Sequence, residues 1–339
     1  MKRQRRMKSY SEKSGGNSCP ELIGKGKRDA VFHTERIPEE KTDKEQMKKL
    51  DEVKKIDLHM HTLVSDGTDS PEEILEKVKD AGIDMFSVTD HDSIKASVVI
   101  REHLGDDDPL FISGVEFSCR DVFGKYHILG YNYDPNAGPV RALVSRGHDL
   151  RIEKLQKRLD ILRERFNFLF SDEDIRALFA NNNPGKPHIA NLMVKYGFAK
   201  TKEDAFAQFL NQLKVASSYF HPKEAIDAIM LSGGIPILAH PSFGSGDELI
   251  IGDELEGRLT RLMLMGLKGV EGYYAGYSPK LQDEVLELAK KYDLYITAGS
   301  DYHGSNKFVK LGENQLADIR QAPEGLYRFL EAVTLRKAK

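Results

Sequence analysis

From Val53 onward one pattern repeats along the chain: a short apolar segment, then a longer stretch whose apolar residues recur at helical spacing. Such alternation commits a chain to an α/β architecture, because each helix must bury its apolar stripe against the strands that flank it. The expected strands are Val53–His59, Met85–Thr89, Leu110–Phe117, Tyr126–Tyr131, Ile235–Ala239, Gly269–Tyr274 and Leu294–Ala298. Ser70, Pro71 and Glu73 supply a cap, a first-turn proline and a capping-box acid ahead of Ile74–Ala81, and Gly82 ends that helix. Pro222–Leu231, closed by Gly233 and Gly234, and Ser278–Tyr292, entered through Pro279, are built the same way.

The rhythm stops between Gly138 and His221. There the runs Val140–Phe166, Asp172–Ala180, His188–Tyr196 and Lys202–Leu213 all read as amphipathic helices. The expected organisation is therefore a body of residues 53–137 and 222–339, a helical insertion of 138–221 lying over one end of it as a lid, and an extension of 1–52 that reads as disordered or weakly helical.

Composition narrows the chemistry. With two cysteines among 339 residues, a disulfide scaffold, a thiolate zinc finger and a four-cysteine iron–sulfur cluster are excluded, so any metal must be held by His and carboxylate. No apolar run approaches the roughly 18 residues that a spanning helix needs. Residues 1–55 carry 16 Lys and Arg against 10 Asp and Glu, and the rest of the chain 34 against 43. An acidic body argues against a broad face for long nucleic acid. The basic cluster Lys2, Arg3, Arg5, Arg6 and Lys8 has no apolar stretch behind it, so it is not a secretory signal and a cytoplasmic product is expected. It reads either as a nucleic-acid or membrane-surface tail or as a solvated terminus.

The strand boundaries carry the chemical groups. In Asp57-Leu58-His59-Met60-His61 the two imidazoles are i and i+2 in an extended segment and point to one side. Asp90, His91 and Asp92 end the second strand, Glu116 the third, His240 the fifth, and Asp301 and His303 the last, while His127 stands at the start of the fourth. Imidazole with carboxylate suits Zn, Mn or Fe, and so many donors exceed the coordination of one ion; two to three divalent ions are expected. Asp57 and Asp90 read as groups that orient His59 and His91. Tyr273, Tyr274 and Tyr277 read either as a base-stacking surface or as packing.

The run DLHMHTLVSDGTDSPEEILEKVKDAGIDMFSVTDHD, followed in order by GVEFS, HILGY, ILAHPS and ITAGSDYHG, resembles the PHP (polymerase and histidinol phosphatase) family over about Lys55 to Gly304, and within it the nucleotide-phosphoesterase branch. The resemblance implies a distorted (β/α)7 TIM-like barrel with a trinuclear site at the C-terminal strand ends. It implies that His59, His61, Glu116 and Asp301 hold one ion, that Asp66, His91 and His303 hold a second, and that Glu116 bridges to a third with His127 and His240. Histidinol-phosphatase members tend to have His where this chain has Asp66.

Such a cluster is positive within an acidic protein, and it would act through a hydroxide bridging the ions, with no protein nucleophile. Asp92 is left open as a catalytic group. Arg146, Arg151, Lys186 and His188 are the candidates for gripping a second phosphate or a nucleotide, or else are exposed helix charges. The expected substrates are nucleotides, nucleoside 3',5'-bisphosphates or short 5'-phosphorylated oligonucleotides, with no membrane and no stable protein partner. The rival readings are a histidinol-phosphatase-like or other small phosphomonoesterase, an amidohydrolase with one or two metals, a non-catalytic PHP interaction module, and a protein that binds nucleic acid through its tail alone.

Overall fold

The computed structural model describes residues 53–335, apart from 106, 181–183, 216–218 and 247. The basic cluster, His33 and the rest of the 1–52 extension lie outside the described residues. The strands are β1 (Ile56–Asp57), β2 (Met85–Phe86), β3 (Leu110–Phe111), β4 (Gly114–Arg120), β5 (Lys125–Tyr131), β6 (Ile235–Leu238), β7 (Gly269–Tyr274) and β8 (Tyr295–Gly299). The helices are α1 (Pro71–Asp80), α2 (Lys95–His103), α3 (Gly138–Phe166), α4 (Asp172–Ala180), α5 (Lys186–Lys195), α6 (Lys202–Ala205), α7 (Pro222–Leu231), α8 (Gly252–Met265), α9 (Pro279–Lys291) and α10 (Glu324–Leu335). A π-helical turn, Phe206–Leu210, continues α6.

This is a mixed α/β fold with two sheets, β1-β2-β3 and β4-β5-β6-β7-β8. Among the described residues no closed barrel of continuous ladders is present. The first sheet is parallel throughout. In the second, β5 runs antiparallel to both β4 and β6, and the rest is parallel. The uniform βα repeat expected from the sequence therefore breaks at a β4–β5 hairpin. Its turn is closed by Asp121, whose amide donates to the Gly124 carbonyl and whose Oδ1 accepts the amides of Phe123 and Gly124.

Isolated backbone bonds link the two sheets just beyond the strand ends. The Leu58 amide donates to Ala298, His61 to Tyr302 and Asp301 to His59, at 2.8 to 2.9 Å. On the other side Asp92 donates to Glu116 and Glu116 to Asp90, at 2.8 and 3.3 Å. The residues that make these links are those in which the sequence concentrates its His and carboxylate groups.

Local rules set the helices. The Ser70 capping box forms as expected and α1 stops at an Ala81 cap with Gly82 at φ 61°. The α7 cap is His221, whose Nδ1 accepts the Lys223 amide. One large core spans β4 to β8 with α7 to α10 and also takes in Ile56, Met85 and Leu110 of the first sheet, and a second, smaller one lies between β1 to β3 and helices α1 and α2. A third cluster is confined to residues 155–213 and holds the helices of that segment together through Leu155, Leu162, Ile189, Met193 and Leu210. Each such fully buried side chain contributes roughly 1.5–3 kcal/mol. None of the described helices is long and apolar enough to cross a membrane.

Candidate metal centre

The buried Glu116 carboxylate on β4 is the hub. Its Oε1 lies 2.9 Å from His127 Nδ1, 3.3 Å from His240 Nε2 and 3.5 Å from His59 Nε2. Its Oε2 lies 3.0 Å from His91 Nδ1 and 3.2 Å from His61 Nε2. His127 reaches this hub from the start of a strand because β5 is reversed, which puts its first residues beside the last residues of the parallel strands. Asp301 presents Oδ1 to His61 Nε2, His303 Nδ1 and His59 Nε2 at 3.3 to 3.5 Å. Asp66 faces His303 Nε2 at 3.4 Å, His61 Nδ1 at 3.5 Å and His91 Nε2 at 3.7 Å.

All nine expected ligands therefore lie in one cluster. Four overlapping groups within it have donor spacings that suit an ion: His61, Asp66, His91 and His303; His59, His240 and Asp301; His59, His61 and Glu116; and His91, Glu116 and His127. Besides its 3.3 Å approach to Glu116, His240 stacks on His59 and groups with it and Asp301.

The donors fit a cation. His59 Nε2 and His61 Nε2 face one another at 3.2 Å. Glu116 Oε1, His127 Nδ1 and His240 Nδ1 are buried without a hydrogen bond of acceptable geometry. Buried polar atoms seldom stay unsatisfied, and lone pairs converging from imidazole and carboxylate satisfy a divalent transition ion. Burial opposes protonation of His59 and His61, yet Glu271, Glu116 and Asp301 hold His59 well above its ordinary range, and bonds to Asp301 and Glu116 bring His61 to about 9. Burial dominates at His91 and pushes it down. Burial also works against ionised Glu116 and Asp301, but the imidazoles prevail and keep both well below the usual carboxylate range.

The structure corrects the orienting groups. Asp57 meets only the His59 backbone amide, at 3.4 Å; its carboxylate accepts the Ser300 amide and hydroxyl and the Gly312 amide. Glu271 on β7 is the group that orients His59, through Nδ1 at 2.9 Å, and its other oxygen accepts the His240 amide at 2.8 Å. An acid in the otherwise apolar GVEGYY was the signal for it. Gly299 makes this pair possible, since a Cβ there would lie 2.2 Å from His59 Cβ and 2.5 Å from Glu271 Oε1. Asp90 does not orient His91; it binds the Thr62 amide and hydroxyl and the Ser65 hydroxyl, which faces His61 Nδ1. Asp92, left open as a catalytic group, instead accepts the Ser118 amide at 3.0 Å and Arg151 at 2.5 Å, and so fixes Arg151.

Beside Asp66 opens a cavity of about 170 Å³ whose lining includes Arg151, Lys154, Arg158, Lys186 and His188. Arg151, Lys186 and His188 were expected there. Arg146 was expected too but points elsewhere, pairing with Glu224 at 2.8 Å over the Phe220 ring, because it lies on a different face of α3. Lys154 and Arg158 were missed, although 151, 154 and 158 share one helical face by spacing alone. Burial pushes Lys154 down to about 8, helped by Arg158 and Arg151, and burial also lowers Arg158. Lys186 donates to Asn211 Oδ1 at 3.0 Å, and His188 Nδ1 accepts the Gly185 amide. Tyr273 and Tyr277 are buried, and Tyr274 packs on His240 and donates to Asp301, so these tyrosines are packing rather than a base-stacking face.

A mixed α/β fold that gathers six imidazoles and two further carboxylates around one buried glutamate defines a metal-dependent hydrolytic class of protein. The model of the PHP domain matches residues 57–221 of this chain. It is 28% identical to a 5'-3' exoribonuclease of Haemophilus influenzae over 77% of this chain and 94% of that protein. It is 24% identical to a 3',5'-nucleoside bisphosphate phosphatase of Chromobacterium violaceum, over 84% and 99%. A solved structure of a candidate metal-dependent phosphoesterase from Bifidobacterium adolescentis superposes with a TM-score of 0.69 at 26% identity, covering 82% of this chain and 96% of that one.

Proposed function

We propose that this protein hydrolyses phosphoesters of nucleotides, acting on nucleoside 3',5'-bisphosphates or short 5'-phosphorylated oligonucleotides. The observation that carries the reading is the row of Arg151, Lys154, Arg158 and Lys186 lining a cavity that also reaches Asp66. A centre that cleaves one phosphate and stands beside a separate set of cations recognises substrates with more than one phosphate. Similarity to the exoribonuclease and the bisphosphate phosphatase supports the same class.

In this reading His59, His61, Asp66, His91, Glu116, His127, His240, Asp301 and His303 hold two or three Mn, Zn or Fe ions. When bound, these ions supply a nucleophilic water at neutral pH and charge to stabilise the transition state. The chain's own groups position the substrate. Asp92 aims Arg151, Lys154 and Arg158 extend the grip along α3, and residues 138–221 form the lid that keeps bulk water from the reacting phosphate. Counting β3 and β4 as one interrupted strand, the inter-sheet backbone bonds trace a seven-membered ring, which supports the distorted (β/α)7 barrel.

The test is a panel of p-nitrophenyl phosphate, a nucleoside 3',5'-bisphosphate and a 5'-phosphorylated oligonucleotide with Mn, scored by released phosphate and released mononucleotide. Arg158→Ala should raise KM about tenfold or more for the nucleotides and leave the small ester nearly unchanged, in line with roughly 1.4 kcal/mol for a lost charged contact. Equal effects on all three substrates would overturn the reading.

A further inference from the structure

The two oxygens of Asp301 face different surroundings. Oδ1 meets the imidazoles of His59, His61 and His303 at 3.3 to 3.5 Å. Oδ2 accepts the Tyr274 hydroxyl at 3.0 Å and the Lys307 ammonium at 2.5 Å. Both donors are held from elsewhere. Tyr274 is wedged against His240, Phe243 and Tyr277. The loop carrying Lys307 is tied back to the Asp66 segment, where the Ser305 amide donates to Thr68 Oγ1 and Asn306 Nδ2 to the Asp66 carbonyl. Asp301 itself sits at φ 56° with its amide bonded to the His59 carbonyl, so its carboxylate has little room to turn.

We propose that Tyr274 and Lys307 are positioning residues that occupy the outer oxygen of Asp301, restrict it to one-oxygen ligation and thereby bias the centre towards small transition ions and against Ca²⁺. Calcium takes six to eight oxygen ligands and commonly uses both oxygens of a carboxylate, whereas transition ions accept fewer donors and take imidazole readily. A carboxylate with two donors already on one oxygen has a single oxygen to give. The inference rests on the proposed metal-dependent function and adds to it how this chain selects its ion.

The experiment measures Mn²⁺ and Ca²⁺ binding to metal-stripped full-length protein by titration calorimetry, with stoichiometry from elemental analysis. The proteins are the wild type, Lys307→Met, Lys307→Arg, Tyr274→Phe and the double variant Tyr274→Phe/Lys307→Met. Removing the lysine charge strengthens every divalent ion, so the ratio of the two dissociation constants carries the test. In the double variant that ratio is expected to shift towards Ca²⁺ by about tenfold, within the range typical of groups that support metal ligands. Lys307→Arg should keep the wild-type ratio. Lys307 is 41% exposed, so Lys307→Met gives a readout even where the tyrosine variant folds poorly. An unchanged ratio in Lys307→Met and in the double variant overturns the inference while leaving the phosphoesterase reading intact. A wild type that binds no Mn²⁺ overturns both.

Discussion

Glu116 lies within 3.5 Å of five imidazoles, and no other side chain in the centre has such reach. Glu116→Gln should therefore lower the content of more than one ion, read by elemental analysis after reconstitution with Mn, and reduce turnover by roughly a hundredfold or more. Loss of a single equivalent would contradict a bridging role. Gly299 is as restrictive from the steric side. Gly299→Ala forces His59 and Glu271 apart and should cost about 1–3 kcal/mol in urea unfolding, the usual range for overpacking. It should also weaken Mn binding. At this scale the sequence marked the candidate ligands and was poor about their supports. His and carboxylate at strand ends are conspicuous in the chain, but the partner of a buried imidazole is set by tertiary proximity. Glu271 is 212 residues from His59, whereas the adjacent Asp57 and Asp90 turned out to pin loops instead.

Among the elements, α3 carries the most testable chemistry. Burial has lowered Lys154 from the ordinary 10.5 to about 8, so the folded state disfavours its charged form. The sign follows from linkage. Between about pH 8 and 10.5 the unfolded chain binds more protons than the folded one at this site, so this group makes stability rise with pH across that window and imposes its full penalty below pH 8. Lys154→Met should remove that rise from the pH dependence of urea midpoints. Anion binding runs the other way: KM for a 5'-phosphorylated substrate should climb above about pH 8 in the wild type and stay flatter in Lys154→Arg. Helix boundaries such as Ser70 with Glu73, and Ser278 before Pro279, were legible because caps are local. The reversal of β5 was not, since an alternating strand pattern reads the same in either direction.

For the whole molecule, the mixed α/β class was legible from the alternation of strands and helices. The joining of its two sheets was not, because it rests on single backbone bonds and shared core contacts between segments as distant as His59 and Asp301. The centre draws side chains from both sheets, so bound ions should tie them together. Ions present at about a thousand times their dissociation constant add roughly 4 kcal/mol. Stripping them with a chelator should lower the melting temperature by several degrees and Mn should restore it. An unchanged melting curve would show that the ions bind without bracing the fold.

The stitching between the sheets also has a consequence for how loading could be watched. The amides of His61, Asp92, Glu116 and Asp301 are at once the cross-links and the neighbours or members of the candidate ligand set. Deuterium uptake at these four positions therefore works as a clock. In the empty protein it runs at the rate at which the seam breathes, and each ion that docks slows it at the amides beside its own ligands. A time course of exchange during Mn titration would give the order in which the positions fill, without substrate and without turnover.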